Sequence, residues 1–166
     1  MSKMYYFLLF VLIIVSCKDS VSETGRNQDS GWSVTPSNLP KKNKVNAKAT
    51  TILNNWIAYK ELETSFDKIY TSEFREDFVL VIEGLIEKQK ALEASEYPTE
   101  FNVPQIKGRQ KVFKTYVLKT KGNLEYRQNP EPAIKEMIAA FNELRGQFNV
   151  MVNNTLPEDL ILNEEN

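Results

Sequence analysis

Residues 129–151 read NPEPAIKEMIAAFNELRGQFNVM and carry the clearest helical pattern in the chain. Their apolar residues recur at spacings of three and four, which is the period of one face of an α-helix. Asn129 is a favourable cap, Pro130 suits the first position, and Glu131 places a negative charge in the first turn. The stretch therefore predicts an amphipathic helix that ends near Asn153. Its inward face comprises Ile134, Met137, Ile138, Phe141, Leu144, Phe148 and Met151.

Three segments that precede this stretch show the same period. The first predicted helix runs from Ala47 to about Tyr70, and the second runs from Glu73 to about Ala94. The third begins at Pro104, which suits a first turn, and runs to about Tyr126. The inward residues are Ile52, Trp56, Tyr59, Leu62, Phe66 and Ile69; Phe74, Phe78, Val81, Leu85 and Leu92; and Ile106, Phe113, Val117 and Leu124.

Two points in these segments leave alternatives open. Ser72 is the expected cap of the second helix, but one continuous helix through Thr71 and Ser72 is also compatible with the pattern. The apolar run FVLVI at residues 78–82 is rich in β-branched residues and is compatible with a strand. Its flanks keep helical spacing and are rich in Glu, Lys, Gln and Ala, so a helix is expected.

Four amphipathic segments joined by short loops predict an all-α fold, an antiparallel four-helix bundle over residues 47–154. Residues 17–46 are polar, contain scattered Gly and Pro, and have little apolar periodicity. Such a composition cannot bury enough apolar surface to offset the entropy of ordering, so a flexible, disordered tether is expected there. Residues 155–166 are expected to form a C-terminal tail.

The N-terminus has the pattern of a secretory signal. Lys3 is followed by twelve apolar residues, Met4 to Val15, and Cys17 is the single cysteine of the chain. A helix of that length spans ~18 Å, which is short of the ~30 Å hydrocarbon core of a membrane. Residues 1–16 are therefore predicted to be a cleaved signal peptide rather than a membrane span.

The four residues Ile14-Val15-Ser16-Cys17 resemble the lipobox of bacterial lipoproteins, in which an aliphatic, a variable and a small residue precede an invariant cysteine. The resemblance implies cleavage before Cys17 and attachment of acyl chains there. The overall pattern also resembles small helical lipoproteins of flavobacteria and other Bacteroidetes. Lys18-Asp19 partly resembles a surface-export signal of those bacteria, so an outer-membrane location is expected, on the cell surface or the periplasmic face.

Composition excludes several kinds of chemistry. The chain has 21 Lys+Arg, 22 Asp+Glu and no histidine, and its glycines form no phosphate-binding loop. Histidine-dependent triads, H-E-x-x-H metal sites and the di-iron use of a helical bundle are therefore excluded. No catalytic residue, cofactor, metal or nucleic-acid partner is expected, and the chain is predicted not to be an enzyme.

One charge pattern is a candidate binding feature. The third helix carries Lys107, Lys111, Lys114 and Lys121 on one face and has no acidic residue between Lys107 and Lys121. A strip of this kind suits an anionic partner or glycan, although pairing with Glu83 and Glu87 of a neighbouring helix is the alternative. The predicted function is a non-catalytic binding or scaffolding accessory to another envelope protein. The alternative is a lipoprotein that binds a glycan or small ligand.

Overall fold

A computed structural model describes residues 34–153, and the account that follows concerns that part of the chain. Cys17, the signal peptide, the tether before Val34 and the C-terminal tail lie outside the described residues. Five α-helices and no strands occur between residues 34 and 153, which confirms the prediction of an all-helical body. The helices are α1 (Ala47–Asn55), α2 (Ile57–Asp67), α3 (Arg75–Ala94), α4 (Pro104–Glu125) and α5 (Glu131–Asn153).

The most periodic stretch forms α5 as its sequence predicts. The Asn129 side chain accepts a hydrogen bond from the backbone N–H of Glu131 at 3.0 Å, and Pro130 supplies the first carbonyl of the helix. The inward stripe is buried from Ile134 to Phe148. At the C-terminal end Val152 is buried and Met151 is only half-buried, so the last turn is rotated slightly from the expected face.

The third and second predicted helices correspond to α4 and α3. Pro104 occupies the first turn of α4, where its missing N–H group costs no hydrogen bond. The run at residues 78–82 lies within α3, so the helical alternative is correct and the strand is not. Helix α4 packs against both α3 and α5, and α2 packs against α3.

The first predicted helix is interrupted at Trp56, which the sequence does not predict. Trp56 has φ −94° and ψ 89°, so α1 ends before it and α2 starts after it. The buried indole donates to Ser95 Oγ at 2.9 Å and lies 4.8 Å from the Tyr97 ring centroid. These tertiary contacts override a helical preference already weakened by Asn54 and Asn55.

The boundary between α2 and α3 is real, but it lies later than predicted. A 3₁₀ turn at Lys68–Tyr70 follows α2, and Ser72 donates its hydroxyl to the carbonyl of Lys68 rather than capping α3. Phe74 is the residue before the first turn of α3 and is 65% exposed. Its predicted inward position is therefore wrong. The spacing of three and four residues assigns a face only to residues within a helix, and Phe74 lies outside α3.

Residues 34–46, which the sequence assigned to the tether, lie against the helices, and we call them the docked segment. Asn142 and Asn149 of α5 accept hydrogen bonds from the backbone N–H groups of Asn43 and Asn46 at 2.7 and 2.8 Å. Val34 and Leu39 are buried. Side chains of α5 thus satisfy backbone groups of a polar stretch, which composition alone does not predict.

The core is dominated by stacked aromatic rings. The rings of Phe66 and Phe141 stack at a centroid distance of 3.9 Å, and Phe113 lies 5.1 Å from Phe141. Tyr59 meets the edge of Phe148 at 5.2 Å and is fully buried, as its position on the inward face of the first predicted helix indicates. Among residues 34–153, no helix is long and apolar enough to cross a membrane.

Candidate functional site

A surface groove of about 990 Å³ lies where the C-terminal end of α3, the loop that follows it and the first turns of α4 meet. The loop is shaped by a 3₁₀ turn at Thr99–Phe101, whose Phe101 is buried in the core. Its placement brings polar side chains of the loop opposite α4. We call this the Tyr97 groove; it is lined by Glu93, Ser95, Glu96, Tyr97, Thr99, Asn102, Lys107, Gln110 and Lys111.

Tyr97 is held in place from three directions. Trp56 packs against its ring, the Lys107 ammonium lies 5.2 Å from the ring centroid, and its hydroxyl donates to Gln110 Oε1. Burial raises the pKa of the Tyr97 hydroxyl above its usual value. Tyr97 therefore stays neutral at physiological pH and acts as a hydrogen-bond donor that orients Gln110.

Gln110 is the most unusual residue in the groove. Its side chain is 2% exposed, and its Nε2 atom has no hydrogen-bond partner among the described residues. A buried polar group without a partner typically costs ~1–3 kcal/mol. The Gln110 Nε2 atom is itself covered by protein, so this amide is an unsatisfied donor beneath the groove rather than a group on its surface.

The charges of the groove are unevenly paired. Glu93 is neutralised by Lys114, whose Nζ lies 2.7 Å from the carboxylate. Within residues 34–153, Lys107 and Lys111 form no ion pair, and Glu96 is the remaining carboxylate of the lining. Two ammonium groups one helical turn apart thus face the groove without neutralisation, which suits a ligand that carries negative charge.

The structure separates the four lysines of the predicted strip. Lys107 and Lys111 line the groove, and Lys114 borders it through its pair with Glu93. Lys121 lies toward the opposite end of α4 and pairs with Glu125 at 3.4 Å. The carboxylate that pairs with the strip is Glu93, which lies six residues beyond Glu87 and ten beyond Glu83, the two expected partners.

Tyr97, Asn102 and Gln110 are groove residues that sequence reasoning did not select. Gln110 did carry a signal, because it falls on the same helical face as Ile106, Phe113 and Val117. A polar residue in an apolar stripe needs a partner when it is buried. Tyr97 and Asn102 lie in a loop, where no periodicity indicates which way a side chain points.

Gln89 is a second buried amide on the neighbouring helix. It is 1% exposed, and both its Oε1 and Nε2 atoms lack hydrogen-bond partners in the described part of the chain. It lies on the inward face of α3 with Leu85 and Leu92. The two facing helices α3 and α4 therefore each place one amide among apolar side chains, and only Gln110 reaches the groove.

A separate cluster of charges, centred on Arg145, is fully paired. Arg145 is 7% exposed and donates from Nη1 to the Tyr59 hydroxyl at 3.0 Å and to the Glu63 carboxylate. Lys42 of the docked segment contacts Glu63 at 3.1 Å and Asp67 at 2.6 Å. Because each charge has a partner, this cluster fastens the docked segment to α2 and α5 rather than presenting an open site.

Burial affects the tyrosines beside this cluster. Desolvation raises the pKa of Tyr59 well above its usual value, against the opposing effect of Arg145. Burial and the nearby Asp67 carboxylate raise the pKa of Tyr70 to about 12. Both hydroxyls are therefore neutral hydrogen-bond donors; Tyr70 donates to the Pro40 carbonyl at 2.8 Å.

Side chains of the described residues form no group of three carboxylate or thiol ligands that could hold a metal ion. Comparisons of the chain with protein families, with curated proteins and with solved structures gave no match.

Proposed function

We propose that this chain is a lipid-anchored envelope protein whose helical body binds an acidic saccharide in the Tyr97 groove and catalyses no reaction. The observation that carries the proposal is the pair of unneutralised lysines, Lys107 and Lys111, which line the groove among neutral polar side chains. A carboxylated sugar matches this lining. Its carboxylate pairs with an ammonium group, and its hydroxyls meet the neutral polar side chains of the groove.

The remaining groove residues suit a polyhydroxylated ligand. Asn102, Thr99 and Ser95 offer amide and hydroxyl groups, and Glu96 offers an acceptor for sugar hydroxyls. Sugar hydroxyls both donate and accept, so a lining of mixed polarity serves them better than a uniformly basic one. Tyr97 acts as a positioning residue, because its hydroxyl holds the Gln110 amide in one orientation.

The body that supports the groove is proposed to be an antiparallel four-helix bundle in which α1 and α2 together form the first arm. Contacts between α2 and α3, α3 and α4, and α4 and α5 support this arrangement. The helices are joined by short connections, which favours antiparallel neighbours. A site built on packed helices holds its polar groups in fixed positions before the ligand arrives.

Anchoring is proposed to occur through acyl chains on Cys17, in the outer membrane, on the cell surface or its periplasmic face. The lipobox-like residues Ile14 to Cys17 support this step. Each buried methylene contributes ~0.8 kcal/mol, and two or more chains give lasting attachment. The chain contains no histidine, so the histidine-dependent catalytic arrangements do not apply, and binding is the proposed activity.

The binding proposal is tested by calorimetric titration with an oligogalacturonide, using a neutral galactose oligosaccharide of the same length as the reference ligand. We expect the acidic ligand to bind and the neutral one to bind at least about tenfold more weakly, a difference of ~1.4 kcal/mol. Equal affinities for the two ligands, or no binding of either, would contradict the proposal.

Matched variants locate the site. Lys107→Gln with Lys111→Gln removes two positive charges from the groove, and Lys119→Gln with Lys121→Gln removes two from the same helix outside it. The first pair is expected to weaken binding about tenfold, and the second to leave it within about twofold. Both pairs should keep similar thermal midpoints, because these side chains are at the surface. Equal losses of affinity would place the binding elsewhere.

An accessory role toward another envelope protein is the second candidate function. A shallow groove between α2 and α3 is lined by Ile57, which is 72% exposed, and by Gly84. Leu80 is 69% exposed and lies on the same face of α3 as Gly84. Exposed apolar side chains beside a groove are typical of protein contacts. Cross-linking in intact cells should recover one discrete protein that is lost on Ile57→Ser with Leu80→Ser.

A further inference from the structure

Two exposed aromatic side chains lie at neighbouring helix ends, where α3 begins and α4 ends. Phe74 precedes the first residue of α3 and is 65% exposed, and Tyr126 follows the last residue of α4 and is 79% exposed. Arg75 joins these two helix ends, because its Nη1 donates to the Leu124 carbonyl at 3.2 Å. The pair is therefore a defined surface feature, which we call the aromatic end.

The N-terminal part of the chain enters the body at this same end. The turn Pro36–Asn38 contacts the turn Lys68–Tyr70, which follows α2 and leads into the start of α3. Tyr70 also donates to the Pro40 carbonyl, and Val34 and Leu39 are buried. The first described residues of the chain therefore pack against the turn that leads into α3.

We propose that the aromatic end rests on the membrane surface, with Phe74 and Tyr126 in the lipid interface. This inference depends on the proposed anchoring at Cys17. Residues 18–33 separate that cysteine from Val34 and reach at most ~60 Å, so the body stays close to the lipid. Aromatic side chains are favoured at membrane interfaces because an apolar ring and a polar group are both accommodated there.

The charges near the aromatic end indicate which lipids it contacts. The exposed carboxylates Glu73, Glu76 and Asp77 lie beside Phe74, and Glu125 precedes Tyr126. These negative charges repel anionic lipid, so attraction to such lipid is not the basis of the contact. The contact should therefore form on zwitterionic lipid and change little with salt, as expected for insertion of aromatic rings.

This placement has a consequence for the ligand site. The Tyr97 groove lies at the other end of α3 and α4 from the aromatic end. A helix of 20 residues is ~30 Å long. A body that stands on its aromatic end would thus hold the groove ~30 Å from the lipid, open to the aqueous phase.

The inference is tested with the full acylated chain in phosphatidylethanolamine and phosphatidylcholine vesicles that contain lipids brominated in their acyl chains. Because acylation occupies Cys17, a single introduced cysteine can carry an environment-sensitive fluorophore. Thr71→Cys and Gln128→Cys place it at the aromatic end, and Glu100→Cys places it at the end with the groove; all three positions are exposed. We expect brominated lipid to quench the first two labels and not the third.

The double variant Phe74→Ser with Tyr126→Ser provides the second arm. It should reduce quenching at positions 71 and 128 severalfold, with position 100 unaffected and the thermal midpoint retained. Quenching that is equal at all three positions, or unaltered by the double variant, would overturn the inference. The label at position 128 could instead be quenched in proportion to the amount of protein per vesicle, with no dependence on lipid bromination. That result would show that a second copy of the chain covers the aromatic end, and it would also overturn the inference.

The two proposals fail in distinguishable ways. If mass spectrometry finds Cys17 without acyl chains and the protein does not sediment with vesicles, anchoring is wrong, and lipid contact is overturned with it. If the protein is acylated and sediments but the labels at 71 and 128 remain unquenched, only the orientation is wrong. The acidic-saccharide titration is independent of both results.

Discussion

Arg145 illustrates how a single side chain joins distant parts of this chain. Its Nε donates to the Asn43 carbonyl of the docked segment at 2.7 Å, and its Nη1 reaches Tyr59 and Glu63 of α2. The guanidinium is nearly buried, so these bonds replace the water that it would have in the unfolded chain. A planar group with several fixed donors is suited to such a junction, whereas lysine is not.

Replacing Arg145 by methionine should lower the free energy of unfolding by about 3 kcal/mol, because partners of a buried charge are left without their bonds. Urea denaturation measures this change. Arg109→Met is the matched control: Arg109 is an exposed arginine paired with Glu143 at 3.5 Å, and its loss should cost less than about 0.5 kcal/mol. Similar costs for the two variants would show that the Arg145 cluster does not hold the docked segment.

At the scale of an element, α4 combines a stabilising start with a weak interior. Pro104 suits its first turn, but Gly108 and Gly122 interrupt a helix whose other residues mostly favour that conformation. A Cβ atom at Gly108 would meet no heavy atom within 4 Å, whereas one at Gly84 of α3 would lie 3.4 Å from Ser65 Oγ. Gly108 is therefore not required by packing, although it lowers the stability of the helix.

Gly108→Ala should raise the free energy of unfolding by about 0.5–1 kcal/mol, because alanine loses less backbone entropy in a helix. Thermal or urea denaturation measures the gain. Gly84→Ala is the comparison, and its gain should be smaller because the new methyl group meets Ser65 in the contact between α2 and α3. A loss of stability on Gly108→Ala would contradict the open space around this position.

At the scale of the whole molecule, the two proposed surfaces lie at opposite ends of α3 and α4. The aromatic end lies where α3 begins and α4 ends, and the Tyr97 groove lies where α3 ends and α4 begins. The docked segment runs along α5 between the entry of the chain and the start of α1, held by Asn142, Arg145 and Asn149.

Cys17→Ala should transfer the protein from the membrane fraction to the soluble fraction, because no other residue of the chain can take the thioether-linked lipid. Fractionation followed by immunoblotting measures the transfer. The thermal midpoint of the body should stay within about 1 °C, since the described core is formed by residues from Val34 to Val152. A variant that remains with the membranes would show that another part of the chain attaches the protein.

The periodic apolar residues allow the helical parts of this body to be predicted closely. The predicted helices over residues 73–94, 104–126 and 129–153 match α3, α4 and α5 within two residues at each end. The match follows from local physics, because helix caps, proline positions and a 3.6-residue period act over a few neighbouring residues. The lipobox-like residues at Ile14 to Cys17 are likewise a local signal, and the anchor remains a prediction from that signal.

The break at Trp56, the exposure of Phe74, the docked segment and the Tyr97 groove depend on residues far apart in the chain. Trp56 bonds to Ser95, the docked segment bonds to α5, and Tyr97 bonds to Gln110 in another element. No pattern within one segment encodes such a pairing, because its energy exists only once the helices have packed. Local sequence therefore determined the helices α3, α4 and α5 and most of the faces that they bury, whereas tertiary packing decided the break at Trp56 and where the polar side chains meet.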